Sequence, residues 1–167
     1  FYPFVSGVNN RNVSVYFSTA TALSGGGTIA MSQNNGTGLS AVTPSIVDGT
    51  FTIDTKGNAS WTATPGNGIT ASGTLGLRLT NGGLFTTAVA NLRVIQSTTA
   101  LGTHVAGSGT NPNYQSNRTG LTLSDLTNTH YTGAAAAELA SNYNSIASGN
   151  WNSPSTWDLG TVPTCSD

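Results

Sequence analysis

The residues of this chain that could do chemistry are two histidines, six acids and one cysteine. His104 sits in "GTHVA" and His130 in "NTHYT", both strand-like settings. No cysteine or carboxylate stands at metal-ligand spacing from either, so a zinc site is not expected and both read as satisfied or surface histidines. Glycoside hydrolysis needs two carboxylates facing across a cleft. For Asp48, Asp54, Asp125, Glu138, Asp158 and Asp167 nothing in the sequence excludes such a pair in space and nothing points to one, and Asp48 and Asp54 read as turn or strand-end residues. A calcium loop needs clustered oxygens with acidic density, which is missing. One calcium held by carbonyls and Asn or Asp oxygens of a loop is the alternative left, and no other cofactor is expected. There is no Gly-x-Ser-x-Gly elbow and no phosphate-binding loop. The chain therefore reads as a non-enzyme, with the non-catalytic part of a secreted glycan-active enzyme as the alternative. Cys165 has no second cysteine to bond. It is either an inert thiol or one whose partner lies on another chain.

Aromatic rings are the other resource, because a flat ring can stack on the apolar face of a sugar. Tyr16 and Tyr114 are expected at the surface and are the candidate ligand-binding residues. Trp61 alternates with Ala59 and Ala63, and small neighbours leave room for a large ring in a core. It is expected as a structural anchor.

The elements that would position these residues follow from composition and period. Charged residues are 7% of the 167, net charge is −1, and there are 21 glycines. Arg11, Arg78, Arg93 and Arg118 are scattered singly, so no basic face for nucleic acid is expected. No apolar run is long enough for a membrane span. No signal peptide is present, and the opening on Phe1 is expected of a processed chain or a segment of a longer one. Alternation with period two recurs in "NVSVYFS" (12–18), "GTIAMSQ" (27–33), "TFTIDT" (50–55), "ASWTAT" (59–64), "GTLGLRLT" (73–80), "NLRVIQS" (91–97) and "GLTLSDL" (120–126). Such runs are half-buried strands. Gly- and Asn-rich gaps at 24–27, 34–38, 56–58, 65–68 and 80–83 supply turn chemistry. A hairpin is expected around Lys56-Gly57-Asn58, and "GSGTNPNYQSN" (107–117) reads as a long polar loop. Seven to nine strands in residues 1–133 would form an all-β, immunoglobulin-like antiparallel β-sandwich. Residues 134–145 read as a linker with at most a turn of helix, and 146–167 as the opening of a second β module.

That last stretch, "SGNWNSPSTWDLGTVPTCSD", resembles a module opening frequent in large secreted surface proteins of Bacteroidota. Gly149, Trp151, Ser153, Pro154, Thr156, Trp157, Gly160, Val162, Pro163 and Asp167 carry the pattern. A weaker likeness to sandwich domains of the same proteins lies in Phe4, Gly7, Asn10, Arg11 and Val13, and in Gly120, Leu121, Leu126, Tyr131, Thr132 and Gly133. Phe4-Val5-Ser6 departs from the tighter Pro-Val-Gly turn of the family. The resemblance implies an extracellular, adhesin-like cargo of the type IX secretion system, some members being tied to gliding motility. It implies Trp151 and Trp157 as packing anchors of a truncated downstream module. Partners implied are neighbouring β modules of the same polypeptide, the secretion translocon and surface glycans. Alternatives are a carbohydrate-binding module of a secreted polysaccharide-acting enzyme, or a self-assembling fibre subunit whose strand completes a neighbour's sheet.

Overall fold

The computed structural model describes residues 1–6, 9–19, 22–81, 85, 88–110, 113–135, 147–156 and 162, with the side chains of 5, 6, 9, 10 and 81 left aside. Its strands in chain order are β1 Val5–Ser6, β2 Asn9–Asn10, β3 Val13–Phe17, β4 Ala22–Ser24, β5 Thr28–Asp48 and β6 Phe51–Gly66. They continue with β7 Thr70–Ser72, β8 Leu75–Asn81, β9 Arg93–Gln96, β10 Thr103–Ser108, β11 Tyr114–Leu121 and β12 His130–Ala134. Two four-stranded sheets carry the fold, in the orders β10-β11-β8-β3 and β5-β6-β12-β9, and two short ribbons pair β1 with β2 and β4 with β7. All these pairings are antiparallel. The protein is an all-β antiparallel sandwich, as the period-two runs require.

The main core shows why alternation works as a signal. Leu75, Leu77 and Leu79 of β8 turn one way and are buried, as are Val13 of β3 and Leu121 of β11. From the second sheet come Ala59, Trp61 and Ala63 of β6 and Val94 of β9. Trp61 is fully buried, and its Nε1–H donates to the Arg11 carbonyl at 2.8 Å. The small alanines on either side make room for its ring, and the one polar atom of the indole finds a partner. Two smaller clusters extend this core, Val42, Ile46, Ile53 and Ile95 in one, Phe85, Leu92, Tyr114 and Ala134 in the other.

Four local expectations are corrected. Lys56-Gly57-Asn58 is no hairpin turn: β6 runs straight through it, paired with Leu39, Ser40 and Ala41 of β5. The chain reverses instead at Gly49, which holds φ 67° between β5 and β6. Likewise 34–38 is a break of register within β5, between Asn35 and Leu39, rather than a turn. Gly-Asn chemistry permits a turn, but a 16-residue strand with partners on both sides gains more by staying extended. The polar stretch 107–117 is mostly strand, because β10 reaches Ser108 and β11 starts at Tyr114. The run 120–126 is strand only as far as Leu121. Thr122 then caps the single helical turn α1, Leu123–Leu126. Its hydroxyl accepts from Asp125 N at 3.1 Å, and the Asp125 carboxylate accepts from Thr122 N at 2.8 Å. This reciprocal box satisfies two orphan donors and turns Leu126 into the core.

The expected linker and second module lie outside the described residues except for Ala134, Ala135, 147–156 and Val162.

Candidate functional site

Among the described residues Asp48, Arg93, His104 and Arg118 form a group of ionisable side chains. It is assembled from both sheets: Asp48 ends β5 and Arg93 opens β9, while His104 and Arg118 face each other across β10 and β11. Arg118 occupies an inward position, opposite Leu77, and has no solvent exposure. A buried guanidinium is tolerable only if its donors and its charge are met. Nη1 donates to one Asp48 oxygen at 2.6 Å and Nη2 to the other at 3.0 Å. Nε donates to the Leu101 carbonyl at 2.5 Å, and Nη2 also reaches the carbonyls of Ala100 at 2.6 Å and Gly102 at 3.1 Å. The loop between β9 and β10 is thus wrapped round the guanidinium.

Arg93 adds a second cation. Its Nε lies 3.2 Å from Asp48, its guanidinium covers the Phe51 ring at 4.4 Å, and Nη1 donates to the Asn91 carbonyl at 2.7 Å. The Arg118 hydrogen bond, against the cost of burial, holds the Asp48 carboxyl below its ordinary range, helped by both arginine charges. His104 Nε2 lies 2.9 Å from Arg93 Nη1 and 3.1 Å from the Ala90 carbonyl. A guanidinium only donates and a carbonyl only accepts, so the Arg93 contact calls for an Nε2 without a proton and the Ala90 contact for one with it. Burial first, and then the Arg93 charge, push the His104 pKa down and favour the neutral ring.

The two arginines favour the ionised Asp48 carboxylate. The cluster ties β5 and β9 of one sheet to β10 and β11 of the other.

His130 behaves similarly. It is fully buried, with Gln96 Nε2 at 3.3 Å from Nδ1 and the Leu126 carbonyl at 3.3 Å from Nε2. A neutral ring protonated on Nε2 satisfies both contacts. Burial lowers its pKa.

The aromatic candidates separate. Tyr114 is buried at 7% exposure, packed with Phe85, Leu92 and Ala134, so the expectation that it faces solvent is overturned. Tyr114 begins β11 rather than lying in a loop, and it falls on an inward position. Tyr16 is half-buried. Its ring lies across Gly76 of β8, where a Cβ would collide with it. The Arg78 guanidinium stands 5.7 Å from the ring centre, and Arg78 Nε donates to Asn117 at 2.8 Å. Glycine is required at 76 because the ring occupies the place of a side chain. Trp61 is in the core, and Trp151 is 62% exposed. Trp157 and Cys165 lie outside the described residues. Among the described residues no three His, Cys, Asp or Glu are grouped to hold a metal ion, and no helix is long and apolar enough to cross a membrane.

Sequence reasoning passed over Asp48, Arg93 and Arg118. The available signal was the alternation Tyr114-x-Ser116-x-Arg118, which places an arginine on the inward side of a strand. It was masked by the polarity of the whole stretch.

The pKa directions give a testable sign. His104 and His130 have folded values below the unfolded one, so their neutral forms contribute stability that is complete above about pH 6.5 and is lost as pH falls. Asp48 acts in the same direction at lower pH, as its depressed carboxyl is protonated. Denaturant titrations should show stability falling steadily from pH 7 towards pH 4. A flat profile across that window would contradict the neutral, engaged histidines.

No protein family, curated protein or solved structure matches this chain.

Proposed function

We propose that the chain is a structural and adhesive module of an exported cell-surface protein, of the type IX secretion cargo class that its terminal pattern resembles. The observation that carries this reading is where the chemistry-capable residues are spent. Trp61 is closed in the core, Tyr114 is buried, and the cluster of Asp48, Arg93, His104 and Arg118 is a clasp between sheets. A module that transmits load or spaces other modules needs a locked sandwich and no reactive cleft. The neighbouring β modules of the polypeptide and the translocon are its partners in this reading. Trp151 and Trp157 are then anchors that pack on a downstream module.

Against the carbohydrate-binding alternative, one face of the Tyr16 ring is spent on Gly76, with Arg78 5.7 Å from the ring centre. Protease shaving of intact cells carrying the full-length protein tests the proposal. The protein should be cut on wild-type cells and protected in cells lacking the type IX translocon. Equal cleavage in both would refute it. Residues 1–145 should give no signal on a glycan array, and a strong saccharide hit would move the function to the alternative.

A further inference from the structure

Residues 2–6 and β12 run out of the sandwich along its strands, at opposite ends. Tyr2 and Val13 form a backbone pair, with Tyr2 N donating to Val13 O at 2.7 Å and Val13 N to Tyr2 O at 3.0 Å. Arg11 N donates to Phe4 O at 2.8 Å, and β1 pairs with β2 through Val5 with Asn10 and Ser6 with Asn9. Residues 2–6 are therefore an arm antiparallel to 9–13. Followed backwards, the arm points along β3 from Val13 towards Phe17, and Phe1 shares a cleft with Phe17, Ile29 and Leu75. In the second sheet Ile29 pairs with Pro65 of β6, whereas β12 runs from His130, opposite Trp61, to Ala134, opposite Thr55. Ala134 therefore points away from the Ile29 end and packs with Tyr114 and Leu39. Ile29 and Leu39 mark the two ends along β5, about 30 Å apart at the rise of a strand.

Both segments are gripped. The Tyr2 hydroxyl donates to the Ile29 carbonyl at 2.5 Å, which ties the arm to the second sheet, and Phe4 N donates to Asn12 Oδ1 at 3.0 Å. β12 is a central strand, paired with β9 from His130 to Gly133 and with β6 on its other side. The buried Thr132 hydroxyl is hydrogen-bonded to that of Ser116, in the opposite sheet, at 3.0 Å.

We propose that the sandwich is a tension-bearing element, loaded between the arm at Tyr2 and β12 at Ala134 so that its ladders are sheared rather than unzipped. The bonds of an antiparallel ladder lie perpendicular to the strands. A pull parallel to the strands strains all of them at once, whereas a pull that spreads one end of a pair opens them one at a time. Here the outward directions at Phe1 and at Ala134 are opposed, and each lies along its own strand. Either grip yields only when several bonds fail together. The inference deepens the load-bearing reading of the proposed function and rests on it for its use in the cell. The geometry uses residues 2–6, 9–13 and 130–134, and holds whatever chain precedes Phe1 or follows Ala135.

The test is single-molecule force spectroscopy on the full chain carrying Cys165→Ser and a pair of handle cysteines. Phe1→Cys with Ala135→Cys loads the arm against β12. Thr50→Cys with Ala135→Cys spreads β6 and β12 from one end, because β6 opens at Phe51 and Ala134 faces Thr55. At equal loading rate the first pair should unfold at about twice the force of the second or more, since forced unfolding reads the unfolding barrier along the pulled direction. Tyr2→Phe cuts the tie to Ile29. It should lower the force of the first pair while leaving that of the second, and the denaturant midpoint, within error. The proposal is overturned if the two pairs unfold at equal force, if the Thr50 pair is the stronger, or if Tyr2→Phe lowers both alike. A force ratio that holds while the shaving experiment fails strikes the export reading and leaves the tension geometry standing.

Discussion

Replacing Asp48 with alanine lowers the stability of this sandwich by about 3–5 kcal/mol, the loss typical of removing one partner from a buried ion pair. The magnitude follows from what is left behind. Arg118 is fully buried, and two of its donors would lose the carboxylate. The carbonyls of Ala100, Leu101 and Gly102 still receive hydrogen bonds, but they cannot neutralise the charge. Arg93 would lose the same counter-ion. Denaturant unfolding should show a lower midpoint with an unchanged slope, as expected when stability rather than compactness changes. Removing the cation as well should recover part of the loss. In the double variant Asp48→Ala with Arg118→Met no charge is left buried at that position, and an apolar side chain of similar length fills the space. A double-mutant cycle should therefore give a coupling above about 2 kcal/mol. A single-variant loss below about 1 kcal/mol would place the pair with exposed salt bridges and remove the clasp from this account.

Trp61→Ala should cost a comparable amount, about 3–5 kcal/mol, for a different reason. The ring is fully buried among Ala59, Ala63, Leu75, Leu77 and Leu79, and the alanines around it cannot close the cavity. The Arg11 carbonyl loses its donor in the same step. Trp61→Phe separates the two contributions, since it keeps most of the packing and loses only the N–H. It should cost about 1–2 kcal/mol, near the value of one buried hydrogen bond with a small cavity. At this chain length each kcal/mol moves the melting temperature by about 2–4 °C. A Trp61→Ala variant that melts within about 2 °C of the parent would show that the indole is not a core anchor.

How far the sequence reached can be read from particular residues. Leu75, Leu77 and Leu79 announce a half-buried strand because the side-chain period of a strand is a local property of the backbone. Trp61 between two alanines announces its own burial in the same way. The all-β class, the sandwich and the core tryptophan were therefore legible. The span Lys56-Gly57-Asn58 misled because its residues permit a turn without requiring one, and the choice belongs to Leu39 and Ser40, which pair with Gly57 and Lys56. Tyr114 was misplaced because its neighbours are as polar as a loop, and only the pairing with β8 puts it on an inward position.

The pairing of the ionic clasp was not legible, although alternation could place Arg118 inward. Asp48 and Arg118 stand 70 residues apart, and neither carries a local mark of its partner. The tension path is hidden for the same reason, since the ends towards which the Tyr2 arm and β12 point depend on which strands they pair with. The sequence by itself determined what short-range sterics and side-chain period control, namely most of the strands and their buried faces. The tertiary structure alone decided which strands neighbour one another. From that come the partner of every buried charge and the ends towards which the arm and β12 point, because hydrogen bonds and ion pairs are satisfied across space.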